Sequence, residues 1–119
     1  MKTVLIVDDS ATERHLLNDL LSKAGFDVIA SESGEDAIRK SKAELPDLIL
    51  MDVVMPGLNG FQATRAISRD PDTRRIPIIM CTSKSQETDK IWGMRQGARD
   101  YVVKPVDRDE LLTKIAALA

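Results

Sequence analysis

One cysteine, Cys81, and one histidine, His15, are all the chain has of those residue types. A single cysteine excludes an internal disulfide framework and fits a reducing compartment. Aromatic residues make up only 3% of the sequence. Neither a ring-binding aromatic loop nor a glycine-rich phosphate loop is visible, which argues against a flavodoxin-type cofactor binder. There is no large excess of either charge: the net value is −2, so nothing points to nucleic acid or an anionic membrane. No apolar run approaches membrane-spanning length, and Met1-Lys2-Thr3 leads straight into a strand-like run with no room for a signal peptide. The expectation is a cytoplasmic protein without membrane insertion. No low-complexity tract or repeat breaks the 119 residues, which read as one domain, 1–119, able to bury its own core.

What the chain does have is alternation. Apolar runs of strand length, at residues 3–7, 26–30, 48–52, 76–82 and 101–104, are separated by segments with helical spacing. Ser10-Ala11-Thr12-Glu13 has the pattern of a capping box and opens a first helix with a Leu16, Leu17, Leu20, Leu21 stripe, closed by Gly25. A second helix runs from Ser33-Gly34-Glu35-Asp36 to about Glu44, stopped by Pro46. A third spans Gly60 to about Arg69, and a fourth about Ser85 to Gln96. Asp107 caps a last helix with Leu111, Leu112, Ile115 and Leu118 inward. Strands that are apolar throughout are buried on both faces, so helices must cover both sides. The pattern is that of an α/β, doubly wound parallel sheet with ligands at the carboxyl ends of the strands.

Those ends carry the chemistry. The first strand is followed by Asp8-Asp9, the third ends in Asp52, the fourth in Thr82-Ser83 and the fifth in Lys104-Pro105. Three carboxylates on one sheet edge repel one another, and a divalent cation relieves that repulsion. Mg²⁺ suits such a set, because it takes one or two carboxylates, waters and a phosphate oxygen. Asp52, alone on the presumed central strand, is placed to act as a nucleophile toward phosphorus. Lys104 can offset phosphoryl charge, and the Thr82 hydroxyl can donate to it.

Val7-Asp8-Asp9-Ser10, Leu50-Met51-Asp52 with Met55-Pro56-Gly57 and Gly60, Thr82-Ser83, and Tyr101-Val102-Val103-Lys104-Pro105 together resemble a response-regulator receiver domain over essentially the whole chain. The resemblance implies a flavodoxin-like receiver fold, with five parallel strands in the order 2-1-3-4-5 and five helices. It implies that Asp52 accepts a phosphoryl group from a histidine kinase. It implies Mg²⁺ held by Asp9, Asp52 and the Val54 backbone carbonyl, with Asp8 acting through water. Lys104 and Thr82 would hold the phosphoryl group, Lys104-Pro105 would be cis, and Tyr101 would turn inward when Thr82 moves. A downstream effector or motor protein would bind through the fourth helix, fifth strand and fifth helix. The side chains at Val54 and Lys84 would tune hydrolysis of the acyl phosphate. The stretches 52–65 and 86–101 further resemble single-domain receivers of the system controlling type IV pili and twitching motility. With no output domain after the fifth helix, the expectation is a stand-alone signalling protein, a monomer or transient dimer, rather than an enzyme.

Two other roles stand beside that one. A phosphate sink would use the same residues. A Mg²⁺-dependent phosphatase with an Asp nucleophile would want a second acid two residues after Asp52, where this chain has Val54. Taken singly, Asp8-Asp9 is a solvated loop and Lys104 a surface lysine; only their combination argues for chemistry. His15 reads as a surface or half-buried side chain, Cys81 as inert core, and Arg74, Arg75 and Arg95 as a solvated face. Trp92 reads as packing on a neighbouring helix, with an exposed partner-binding role as the alternative.

Overall fold

A computed structural model describes residues 2–83 and 87–118. Strands and helices alternate throughout: β1 (Thr3–Val7), α1 (Ala11–Lys23), β2 (Asp27–Ser31), α2 (Gly34–Glu44), β3 (Leu48–Asp52), α3 (Gly60–Arg69), β4 (Ile78–Thr82), α4 (Glu87–Gln96), β5 (Asp100–Val103) and α5 (Arg108–Leu118). The strands form one sheet in the order β2-β1-β3-β4-β5, and every pairing is parallel. The expected fold and strand order are therefore the observed ones. Strand limits differ by one or two residues from the sequence reading. The start expected for α4, at Ser85, lies outside the described residues.

The period-2 alternation of the strands divides the core into two layers. Leu5, Val7, Ile49, Met51, Ile78 and Met80 pack with Ala37 of α2 and with Ala63 and Ile67 of α3. Val4, Ile6, Leu48, Leu50, Ile79, Cys81 and Val102 pack on the other face with Leu17 and Leu21 of α1 and Leu111 and Ile115 of α5. Cys81 is thus a core residue, and burial pushes its thiol pKa up to about 12, which keeps it unreactive.

Helix starts are fixed by side chains that satisfy free backbone N–H groups. Ser10 and Ser33 accept from the N–H groups of Glu13 and Asp36. Asn59 and Gln62 form a reciprocal capping box at the start of α3, which the sequence reading did not identify. Asp107 accepts from the Glu110 N–H at 2.8 Å, as expected.

Two apolar assignments need correction. Leu16 is not part of the inner stripe of α1; it is 57% exposed, because the buried face is centred on Leu17 and Leu21. Trp92 does not pack as a core residue: it is 49% exposed, with Ile91 and Met94 similarly open. Gly93 of α4 is buried and faces the sheet. A Cβ there would lie 3.0 Å from Met80 Cγ, so glycine lets the helix sit close to β4.

Of the glycines, Gly60 has the closest approach to neighbouring backbone. A Cβ at this position would lie 2.0 Å from the Asp52 carbonyl oxygen and 2.9 Å from Val53 Cα. Both are backbone atoms that cannot swing aside. The Gly60 N–H donates to the Val53 carbonyl at 2.9 Å, pinning the start of α3 against the end of β3. Gly60→Ala is therefore expected to lower stability by about 3 kcal/mol or more, measured by urea unfolding. A change under about 0.5 kcal/mol would show that this approach is not a constraint.

Candidate functional site

The carboxyl ends of β1, β3 and β5 meet at one edge of the sheet, and the order reverses between β1 and β3. Asp8 follows β1 and is 2% exposed. Each of its polar groups has a partner. Its N–H donates to the Ser31 carbonyl at 3.1 Å, and its carbonyl accepts from Arg14 Nη1 at 2.7 Å. Oδ1 accepts from the Ser10 N–H at 2.9 Å, and Oδ2 accepts from Lys104 Nζ at 2.7 Å. Asp52 ends β3 and is 7% exposed. Its Oδ1 accepts from the same Lys104 ammonium at 2.9 Å. Asp9 is exposed. Oxygens from the Asp8, Asp9 and Asp52 carboxylates lie within 4.8 Å of one another.

Lys104 is held by its backbone as well, its N–H donating to the Thr82 carbonyl at 2.6 Å. The peptide that follows, Lys104-Pro105, is cis. Burial pushes the Asp52 pKa up, and the neighbouring Asp8 and Asp9 charges push the same way; Lys104 opposes them without cancelling them. Burial alone would depress the Lys104 pKa, but its bonds to Asp8 and Asp52 outweigh that and raise it above the lysine range. The site therefore holds a charged ammonium beside carboxylates that are costly to ionise together.

The donor set fits a hard divalent cation: three clustered carboxylates with one exposed to solvent. Thr82 is buried at the end of β4, and its hydroxyl is directed to the Val102 carbonyl at 3.4 Å rather than to the carboxylates. Tyr101 is half-buried, with Lys90 and Lys114 ammonium groups 4.7 and 4.6 Å from its ring centre. Lys90, Ile91, Met94, Arg95 and Tyr101 line a groove of about 410 Å³. Val54 is 72% exposed at the rim. Lys84 lies outside the described residues, and His15 is exposed on α1. Two residues that bond to Asp8 were not assigned to the site from sequence. Ser10 was read as a helix cap and as the last residue of the Val7-Asp8-Asp9-Ser10 motif, and Arg14 was passed over. The signal available for Arg14 was its place one turn into the helix that follows Asp8-Asp9.

A family model for the response regulator receiver domain matches residues 4–116. The chain belongs to the response regulator receiver domain family. This receiver domain is 54% identical to protein PilH of Pseudomonas aeruginosa, over 99% of this chain and 98% of that protein. It is 40% identical to the phosphate regulon transcriptional regulatory protein PhoB of the same organism, but spans only 51% of PhoB. Among solved structures, chemotaxis protein CheY4 of Vibrio cholerae superposes with a TM-score of 0.92 at 31% identity, covering 100% of this chain and 99% of that one. The receiver domain of a Pseudomonas aeruginosa sensor histidine kinase gives a TM-score of 0.91 at 31% identity, over 98% of this chain and 96% of its own. In that structure a magnesium ion is coordinated in the active-site cleft. No helix among the described residues is long and apolar enough to cross a membrane.

The raised Asp52 pKa makes a prediction whose sign can be worked out. A folded pKa above the unfolded value means that the folded state binds the proton more tightly. Stability then falls as pH rises from the unfolded carboxylate value through the folded one. Above that window the charged carboxylate is a net burden on the metal-free fold. Asp52→Asn should therefore have a higher Tm than wild type at pH 7 in EDTA, with the gap narrowing toward pH 4. Thermal unfolding across that range measures it. A lower Tm at pH 7 would mean that the Lys104 bond outweighs burial and repulsion.

Proposed function

We propose that Asp52 is the phosphoacceptor of a phosphorelay and that the domain signals by switching conformation. The observation that carries this reading is the single Lys104 ammonium bonded to both Asp8 and Asp52 at the edge where Asp9 also lies. An Asp52 oxygen would attack the phosphorus of a phosphohistidine on a histidine kinase. A P–O bond forms, the P–N bond breaks, and the histidine leaves. Asp9, Asp52 and the Val54 carbonyl would hold Mg²⁺ directly, with Asp8 reaching it through water. Bound there, the cation supplies charge neutralisation for the phosphoryl oxygens. Lys104 has a different task, to release part of its hold on Asp52 and pair with a phosphoryl oxygen.

Thr82 would turn its hydroxyl from Val102 to the phosphoryl group. The space it leaves would let Tyr101 move inward between two pre-existing states. That motion would reshape the groove beside Tyr101 and α4. The exposed Ile91, Trp92 and Met94 on α4 favour an effector or motor protein over a pure phosphate sink, since a sink needs no apolar output surface. The likeness to PilH supports a place in type IV pilus function and twitching motility. Val54 offers no hydrogen bond to orient water, and Lys84 has only donors. The acyl phosphate is thus expected to persist until a partner removes it.

One pulse-and-chase experiment tests both halves. Acetyl phosphate with Mg²⁺ should add one phosphoryl group to the wild type and none to Asp52→Asn, read by mass spectrometry. On removal of the donor, Val54→Asn should lose its label several-fold faster than wild type. Equal labelling of Asp52→Asn would defeat the acceptor assignment. Equal decay of Val54→Asn would defeat the account of lifetime.

A further inference from the structure

Arg14 links two structural segments beside the carboxylates without contacting any carboxylate of the cluster. Its Nη1 donates to the Asp8 carbonyl at 2.7 Å. Its Nη2 lies 3.3 Å from Glu32 Oε1, just past the end of β2, and its side chain is only 18% exposed. The peptide that ends in the Asp8 carbonyl is also the one that begins Asp9. It is planar, so fixing its carbonyl fixes the direction from which Asp9 leaves. The other side of Asp8 is fixed by its N–H bond to the Ser31 carbonyl. Asp8 also has both carboxylate oxygens engaged. Asp9 has no such restraint: among the described residues no hydrogen bond or ion pair holds its carboxylate, and it is exposed. Its position depends on its backbone.

We infer that Arg14 is a positioning residue: by clamping the Asp8–Asp9 peptide it sets where the Asp9 carboxylate meets a divalent cation. This rests on the reading of Asp9 as a metal ligand. Arginine suits the task because its planar fork can reach the carbonyl and Glu32 with two nitrogens at once. Simple electrostatics makes the opposite prediction. Arg14 is a positive charge near a cation site, and its removal alone would tighten Mg²⁺ binding. A purely structural role makes a third, in which stability falls and metal affinity does not change.

The test is an Mg²⁺ titration of the full chain, followed by backbone amide shifts, on wild type, Arg14→Ala, Arg14→Lys and Asp9→Ala. Thermal unfolding in EDTA accompanies each. Partners that orient metal ligands typically contribute 10- to 100-fold in affinity. Arg14→Ala should therefore weaken Mg²⁺ binding by about tenfold, near the low end of that range because Arg14 acts through backbone. Arg14→Lys, which keeps a donor for the Asp8 carbonyl, should recover most of the loss. If Arg14→Ala does not fold, Arg14→Met, which keeps the length of the side chain but has no donor, replaces it with the same expectation. Wild-type or tighter affinity in Arg14→Ala overturns the inference, as does an equal loss in Arg14→Lys. Wild-type affinity in Asp9→Ala would instead overturn the metal reading itself, and is distinguishable because it does not involve Arg14.

Discussion

One ammonium group organises the functional edge of this protein. Lys104 Nζ bonds Asp8 at 2.7 Å and Asp52 at 2.9 Å, so a residue after β5 ties together the ends of β1 and β3. Breaking either bond would leave a buried carboxylate beside two like charges, and unpaired buried charge is among the costliest defects a fold can carry. The same arrangement is poised rather than saturated. Asp52 still has a raised pKa, and Asp9 stays open to solvent. A divalent cation and a phosphoryl group would complete the charge balance that Lys104 leaves unfinished.

The rest of the fold keeps these groups in register. Parallel pairing of all five strands, from Thr3 to Val103, sends every strand end to one edge. The close contact at Gly60 seats α3 directly on the Asp52 carbonyl, so β3 cannot drift from its helix. On the far side, Lys114 donates to the Tyr101 carbonyl at 2.5 Å and stands over its ring. Tyr101 thereby joins α5 to the strand that leads to Lys104. A shift at the site has a short physical path to the groove beside α4.

Much of this was legible because strands carry a strong signal. Runs such as Leu48-Ile49-Leu50-Met51 read as buried on both faces, and the first, third and fifth runs lead into Asp8-Asp9, Asp52 and Lys104, whose charges have to be at the edge. Tertiary detail was less legible. Leu16 fits the helical spacing as well as Leu17 does, but the face of α1 that packs on the sheet carries Leu17 and Leu21 and leaves Leu16 outside. Trp92 read as packing on a neighbouring helix because large apolar residues are usually covered; the glycine beside it is what faces Met80. The Thr82 hydroxyl donates to the Val102 carbonyl, a backbone partner that no side-chain pattern in the sequence marks. Arg14 acts through a backbone carbonyl, which leaves no complementary residue to read.

The central claim is that Asp52 forms an acyl phosphate. Treatment of the phosphorylated chain with borohydride reduces such a linkage to an alcohol, converting an aspartyl phosphate to homoserine. Peptide mapping should then find homoserine at position 52 and nowhere else. Homoserine at position 8 or 9, or a borohydride-resistant phosphate at His15, would contradict the account.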